Sequence, residues 1–142
     1  MIIVDTSVWI DFFNGKITEQ TDKLDFFLSS SVVGVGDLIL AEVLQGFRSD
    51  NDYLIARNLM IELELKSFCS IELAVKAAEN YRMLRKRGIT VRKTIDSLIA
   101  TYCIENRYAL LFSDRDFDPW CEHMGLINAS RLQIGMAAAR QT

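Results

Sequence analysis

The first seven residues, MIIVDTS, constrain the fold more than any other stretch of the chain. Ile2, Ile3 and Val4 run without a polar break into Asp5. A half-solvated strand alternates apolar and polar side chains. An unbroken β-prone run instead suits a central strand of a parallel sheet, covered on both faces. Thr6 and Ser7 follow with hydroxyls where a helix needs capping. Ligands of open parallel sheets collect beyond the carboxyl ends of the strands, so Asp5 occupies a chemically favoured position. Taken alone, it equally well ends a strand or caps a helix.

The same design returns late in the chain, where the apolar run Tyr108 to Phe112 empties into Ser113, Asp114, Arg115 and Asp116. Between these two runs, apolar residues recur mostly at helical spacing. The pattern predicts a helix from Val8 to Asn14-Gly15, a second over Ile17 to Leu28, and a short strand at Val32 to Val35. Asp37 is then the expected cap of a helix over Leu38 to Phe47, and Asn51 to Leu65 forms another, with Leu54, Ile55 and Ile61 among its apolar residues. A brief strand follows near Lys66 to Cys69. Ser70 caps a long helix whose inward face carries Leu73, Ala74, Ala77, Tyr81 and Leu84, and Gly88 ends it. Thr94 opens the next helix, with Ile95, Leu98, Ile99 and Tyr102 as its buried stripe. Asp118-Pro119 starts a short helix ending near Gly125, with an edge strand at Leu126 to Asn128 and a tail from about Arg131. Strands alternating with helices imply an α/β fold: a three-layer α/β/α sandwich with a mainly parallel central sheet. At 142 residues this is expected to be a single domain.

Two further acids sit awkwardly. Glu42 is embedded in LILAEVL, where an unpaired carboxylate carries a large desolvation cost. Asp96 falls in the first turn of its helix. Each has a structural reading of its own, Glu42 on a narrow polar stripe with Gln45 and Asp96 as a partner of the helix dipole. In a three-layer fold, however, Asp5, Glu42, Asp96 and Asp114 can converge at one edge of the sheet. Clustered carboxylates share protons or hold a cation. The chain has one histidine, His123, and three widely spaced cysteines, Cys69, Cys103 and Cys121, so zinc spacing is absent. The expected cation is therefore hard and oxygen-loving, Mg²⁺ or Mn²⁺.

A net charge of −3 gives no global reason to expect nucleic-acid binding, but local patches matter more than totals. Arg82, Arg85, Lys86, Arg87, Arg92 and Lys93 cluster just before Asp96. They form either a solvated helix end or a patch facing phosphates. The cysteines read as reduced core residues of a cytoplasmic chain. No signal peptide or bilayer-spanning run is recognisable.

Together the segments IIVDTS, LILAEVLQG, VRKTIDSLIATYCI and LLFSDRDFD resemble the PIN-domain family, and within it the VapC-type toxins of toxin–antitoxin pairs. The resemblance runs from Met1 to about Leu126, with the motifs in family order. It implies a metal-dependent ribonuclease with Asp5, Glu42, Asp96 and Asp114 as the acidic quartet. It also implies Asp116 as a further acid supporting the metal and Ser7 as a hydroxyl arranging the first aspartate, with Thr6 beside it. The resemblance further implies transfer or ribosomal RNA as substrate, a homodimer, and a cognate VapB-type antitoxin covering the site. Two other readings compete. A Mg²⁺-dependent phosphatase of the haloacid dehalogenase type also starts with an apolar run into Asp, but needs a second Asp where this chain has Ser7. A non-catalytic interaction module with the PIN fold would not need its acids intact.

Overall fold

The computed structural model describes residues 1–30 and 32–132. Five strands, β1 (Ile2–Val4), β2 (Val33–Gly36), β3 (Glu64–Lys66), β4 (Ala109–Leu111) and β5 (Ile127–Asn128), form one sheet. Its order is β3-β2-β1-β4-β5, and every described pairing is parallel. Around it lie α1 (Thr6–Phe13), α2 (Glu19–Ser30), α3 (Asp37–Gln45), α4 (Asp50–Ile61), α5 (Ile71–Lys86), α6 (Thr94–Asn106) and α7 (Asp118–Met124). The chain winds from β1 outward through β2 to β3, then returns across the sheet to β4 and on to β5. With right-handed crossovers that reversal puts the two sets of helices on opposite faces. Accordingly α1 packs with α2 and α3, while α5 packs with α6 and α7. The expected α/β sandwich is what forms.

All three residues of β1 and all three of β4 are buried, as the unbroken apolar runs require. Ile3 and Leu110 are fully enclosed, and each such side chain contributes about 1.5–3 kcal/mol of burial free energy. Trp9, Phe27, Phe68 and Trp120 fill the space between sheet and helices. Gly36 belongs to this packing, because a Cβ there would overlap the Phe68 ring, which is itself stacked on Tyr102 at 4.1 Å.

Several boundaries differ from those predicted, each for a local reason. Helix α2 starts after Thr18, whose hydroxyl accepts from the Thr21 amide while its own amide donates to the Thr21 hydroxyl, so Ile17 stays outside and exposed. Gly36, not Asp37, caps α3, and the Asp37 carboxylate instead accepts from the amides of Leu38 and Phe68. Helix α4 stops at Ile61, which moves the third strand forward to Glu64–Lys66 and leaves Leu54, Ile55 and Ile61 exposed. Lys93 rather than Thr94 caps α6. Ala74 and Cys69 are exposed, Tyr81 is half-buried, and the interior of α5 includes Asn80, which donates to the Thr101 hydroxyl at 3.2 Å. Ser70, Gly88 and Gly125 act as predicted, the glycines with φ of 80° and 81°. Most of the expected C-terminal tail, residues 133–142, lies outside the described residues. No described helix is long and apolar enough to cross a membrane.

Candidate active site

Neighbouring strands β1 and β4 lead into connections that depart in opposite directions, and a crevice opens beyond their carboxyl ends. The Asp5 amide still donates to the Leu111 carbonyl at 2.8 Å, so the last rung of the sheet holds the first acid against the end of β4. Asp5 then caps α1, and its Oδ2 accepts from the Ser7 amide at 3.4 Å and the Ser7 hydroxyl at 2.9 Å. The Ser7 hydroxyl and amide thus both bond one oxygen of the first aspartate. The capping group is the carboxylate, not the hydroxyls expected for that task. Thr6 turns the other way and donates to Glu42 Oε1 at 2.8 Å, tying α3 to the end of β1.

Beyond β4 the chain tightens into a 3₁₀ turn, Arg115–Phe117, because Asp114 Oδ1 accepts from the Asp116 amide at 2.9 Å. This short turn brings both side chains back over the crevice. Asp96 enters from the first turn of α6. One carboxylate oxygen from each of Asp96, Asp114 and Asp116 lies within 4.8 Å of the others. The donor set is all oxygen and anionic, and among the described residues no ion pair neutralises it. Those properties fit a hard divalent cation.

The electrostatics follow from the crowding. Asp5 and Asp96 are only 6% and 7% exposed. Burial pushes the Asp5 carboxyl above its ordinary range, against the opposing hydrogen bonds of Ser7, and the Glu42 charge adds to the rise. Asp96 is pushed up to about 7, first by burial and then by the charge of Asp5, with smaller contributions from Asp114 and Asp116. The Lys93 ammonium opposes this rise. Burial also pushes the Cys103 thiol up, with the Asp5 charge second, so this enclosed sulfur is a packing group.

Of the five predicted acids, Asp96, Asp114 and Asp116 meet within 4.8 Å, Asp5 is near enough for its charge to raise Asp96, and Glu42 stands further out, linked by its hydrogen bond from Thr6 and its charge on Asp5. The predicted basic cluster does not stay together. Lys93 faces the acids, while Arg87 turns toward α7, its Nη1 at 3.1 Å from His123 Nδ1. Arg82 and Arg85 line a separate groove between α5 and α6. Lys86 and Arg92 are exposed. Sequence periodicity missed that groove, because Ala74 and Tyr81 look like core residues at helical spacing.

A parallel sheet with carboxylates gathered beyond its switch point defines an α/β protein whose acids can hold a divalent cation. The chain belongs to the PIN-domain family, whose model matches residues 2–119. Its relatives include VapC ribonuclease Mb1587 of Mycobacterium bovis and Ribonuclease VapC11 of Mycobacterium tuberculosis. Each is 31% identical over 121 residues, which is 83% of this chain and 90% of theirs. Solved structures share the fold. VapBC2 from Rickettsia felis, bound to a promoter DNA fragment, superposes with a TM-score of 0.72 at 19% identity, covering 90% of this chain and 97% of that one. VapC20 of Mycobacterium tuberculosis, a sarcin-ricin loop cleaving toxin, gives 0.64 at 16% identity, covering 83% and 93%.

Proposed function

We propose that this chain is the endoribonuclease toxin of a VapBC-type toxin–antitoxin pair and hydrolyses RNA phosphodiester bonds at the acidic crevice. The observation that carries the reading is the meeting of Asp96, Asp114 and Asp116 oxygens within 4.8 Å, in a chain 31% identical to two VapC ribonucleases. In this reading Asp5, Asp96, Asp114 and Asp116 hold one or more Mg²⁺ or Mn²⁺ ions. When bound, such a cation activates water and neutralises charge on the phosphodiester.

The chain's own residues do the rest. Ser7 fixes the direction of Asp5 Oδ2, and Thr6 fixes Glu42 at the rim of the crevice. Asp96, titrating near neutrality, can keep or release a proton at its carboxylate. Lys93 stands at the crevice as a counter-charge to the acids, which would otherwise repel an RNA backbone. The substrate is transfer or ribosomal RNA in the cytoplasm, and a VapB-type antitoxin restrains the activity of a homodimer. Residues 1–142 act as one PIN domain.

Fluorogenic RNA cleavage tests the proposal. Mn²⁺ should support cleavage, EDTA should stop it, and a folded Asp96→Asn variant should be inactive. Wild-type rates in that variant would remove Asp96 from the site. Cleavage unaffected by EDTA would remove the cation.

A further inference from the structure

The groove between α5 and α6 has a volume of about 460 Å³, within the range of pockets that take small ligands. Its walls are apolar and small in side chain, with Ala74, Ala77, Ala78 and Leu98 leaving space beside the Tyr81 ring. Two cations stand on it, Arg82 and Arg85, one helical turn apart. The Arg85 guanidinium lies over the Tyr81 ring at 5.6 Å, which makes ring and guanidinium a joint platform. No acid lines the groove.

Ser97 also lines this groove, with its hydroxyl oxygen sealed inside the wall. Ser97 follows Asp96 directly on α6, so the groove and the acidic crevice flank one turn of one helix. They are about a helix diameter apart, ~10 Å.

We propose that this groove is a nucleotide subsite of the RNA-cleaving centre. It takes one unpaired ribonucleotide flanking the cleaved bond, with the base against Tyr81 and adjoining phosphates on Arg82 and Arg85. This rests on the ribonuclease reading above. The chemistry matches in two parts: a flat π-face for the aromatic ring and guanidinium groups for phosphate oxygens. A base held in a stack within a duplex could not reach the groove floor, so the subsite selects single-stranded segments. Packing of a second copy groove to groove would instead bring four guanidinium groups of like charge together, which disfavours that occupant.

The test uses the full chain in EDTA, with a fluorescein-labelled single-stranded RNA and the same strand annealed to its complement. Ala78→Leu fills the groove without touching the acids, Tyr81→Ala removes the platform, and Arg82→Ala with Arg85→Ala removes two phosphate contacts. The wild type should prefer the single strand. Ala78→Leu and Tyr81→Ala should each weaken its binding about tenfold and erase the preference over duplex. The arginine pair should flatten the slope of log affinity against log salt by about 1.4. Thermal melts establish which variants are folded, and Tyr81→Ala carries the test if Ala78→Leu does not fold. Unchanged binding in folded groove variants of a chain that cleaves RNA overturns the subsite and leaves the nuclease standing. A wild type that neither binds nor cleaves RNA ends both. A groove variant that alters only sedimentation, or only capture of an antitoxin peptide, assigns the groove to a protein contact and overturns the proposal.

Discussion

Replacing Asp96 by Asn should stabilise the metal-free protein near neutral pH while abolishing cleavage. The folded state holds a proton on Asp96 up to about pH 7, whereas the unfolded chain releases it near 3.8. Between those values the folded state binds more protons, so stability falls as pH rises. At about 1.4 kcal/mol for each pH unit, the window is worth about 4 kcal/mol. The Lys93 ammonium and relaxation around the charged carboxylate oppose this, and the realised difference should be about 2 kcal/mol. Asn keeps the shape and does not titrate. At pH 7.5 in EDTA the variant should therefore be about 2 kcal/mol more stable than wild type, equivalent to ~6 °C in Tm for a chain of this size. At pH 4.5 the two should nearly coincide. Mn²⁺ at a hundred times its Kd should return about 2.7 kcal/mol to wild type and less to the variant. Urea titrations and thermal melts at both pH values, with EDTA or Mn²⁺, supply the comparison. Groups remote from Asp96 titrate alike in both proteins and cancel in the difference, whereas relief of Asp5, Asp114 and Asp116 adds to the gain of the variant. A variant no more stable than wild type at pH 7.5, or a difference independent of pH, would refute the charge-crowding argument.

Thr6→Val should leave Tm within a degree or two of wild type but lower the cleavage rate, since Glu42 loses the hydroxyl that holds Oε1; an unchanged rate would make that bond incidental. Gly36→Ala should destabilise the protein by about 1–3 kcal/mol in urea titrations, because the Phe68 ring cannot retreat without leaving Tyr102. Asn80→Ala should cost about 1–3 kcal/mol by the same measurement, leaving the buried Thr101 hydroxyl without its donor. Expression of the chain alone should arrest growth, and co-expression of its antitoxin should relieve the arrest. Normal growth with abundant active protein would place it outside the toxin group.

The two central strands were legible in the sequence because burial on both faces demands unbroken apolar runs, and Ile2–Val4 and Ala109–Leu111 have no other use for such side chains. The helix ends marked by Ser70, Gly88 and Gly125 were legible too, since caps act locally. What escaped depends on contacts between distant segments. The role of Asp37 is settled partly by the Phe68 amide 31 positions away, and that of Thr6 by Glu42 on another helix. Burial on α6 was misread for the opposite reason. Asp96, Ser97 and Thr101 are enclosed although polar, because α6 lies beneath α5 and against the crevice, and periodicity scores only apolar residues. The acids themselves were legible as misfits. Their convergence became visible only once strand order placed β1 beside β4.

That adjacency has a consequence for control. The amide of Asp5 is bonded to the Leu111 carbonyl, as part of the same ladder that joins the two most buried strands. Its hydrogen exchange should follow global unfolding rather than local opening. The backbone that carries Asp5 is then as rigid as the interior beneath it. Such a chain cannot quiet itself by loosening its own floor without melting.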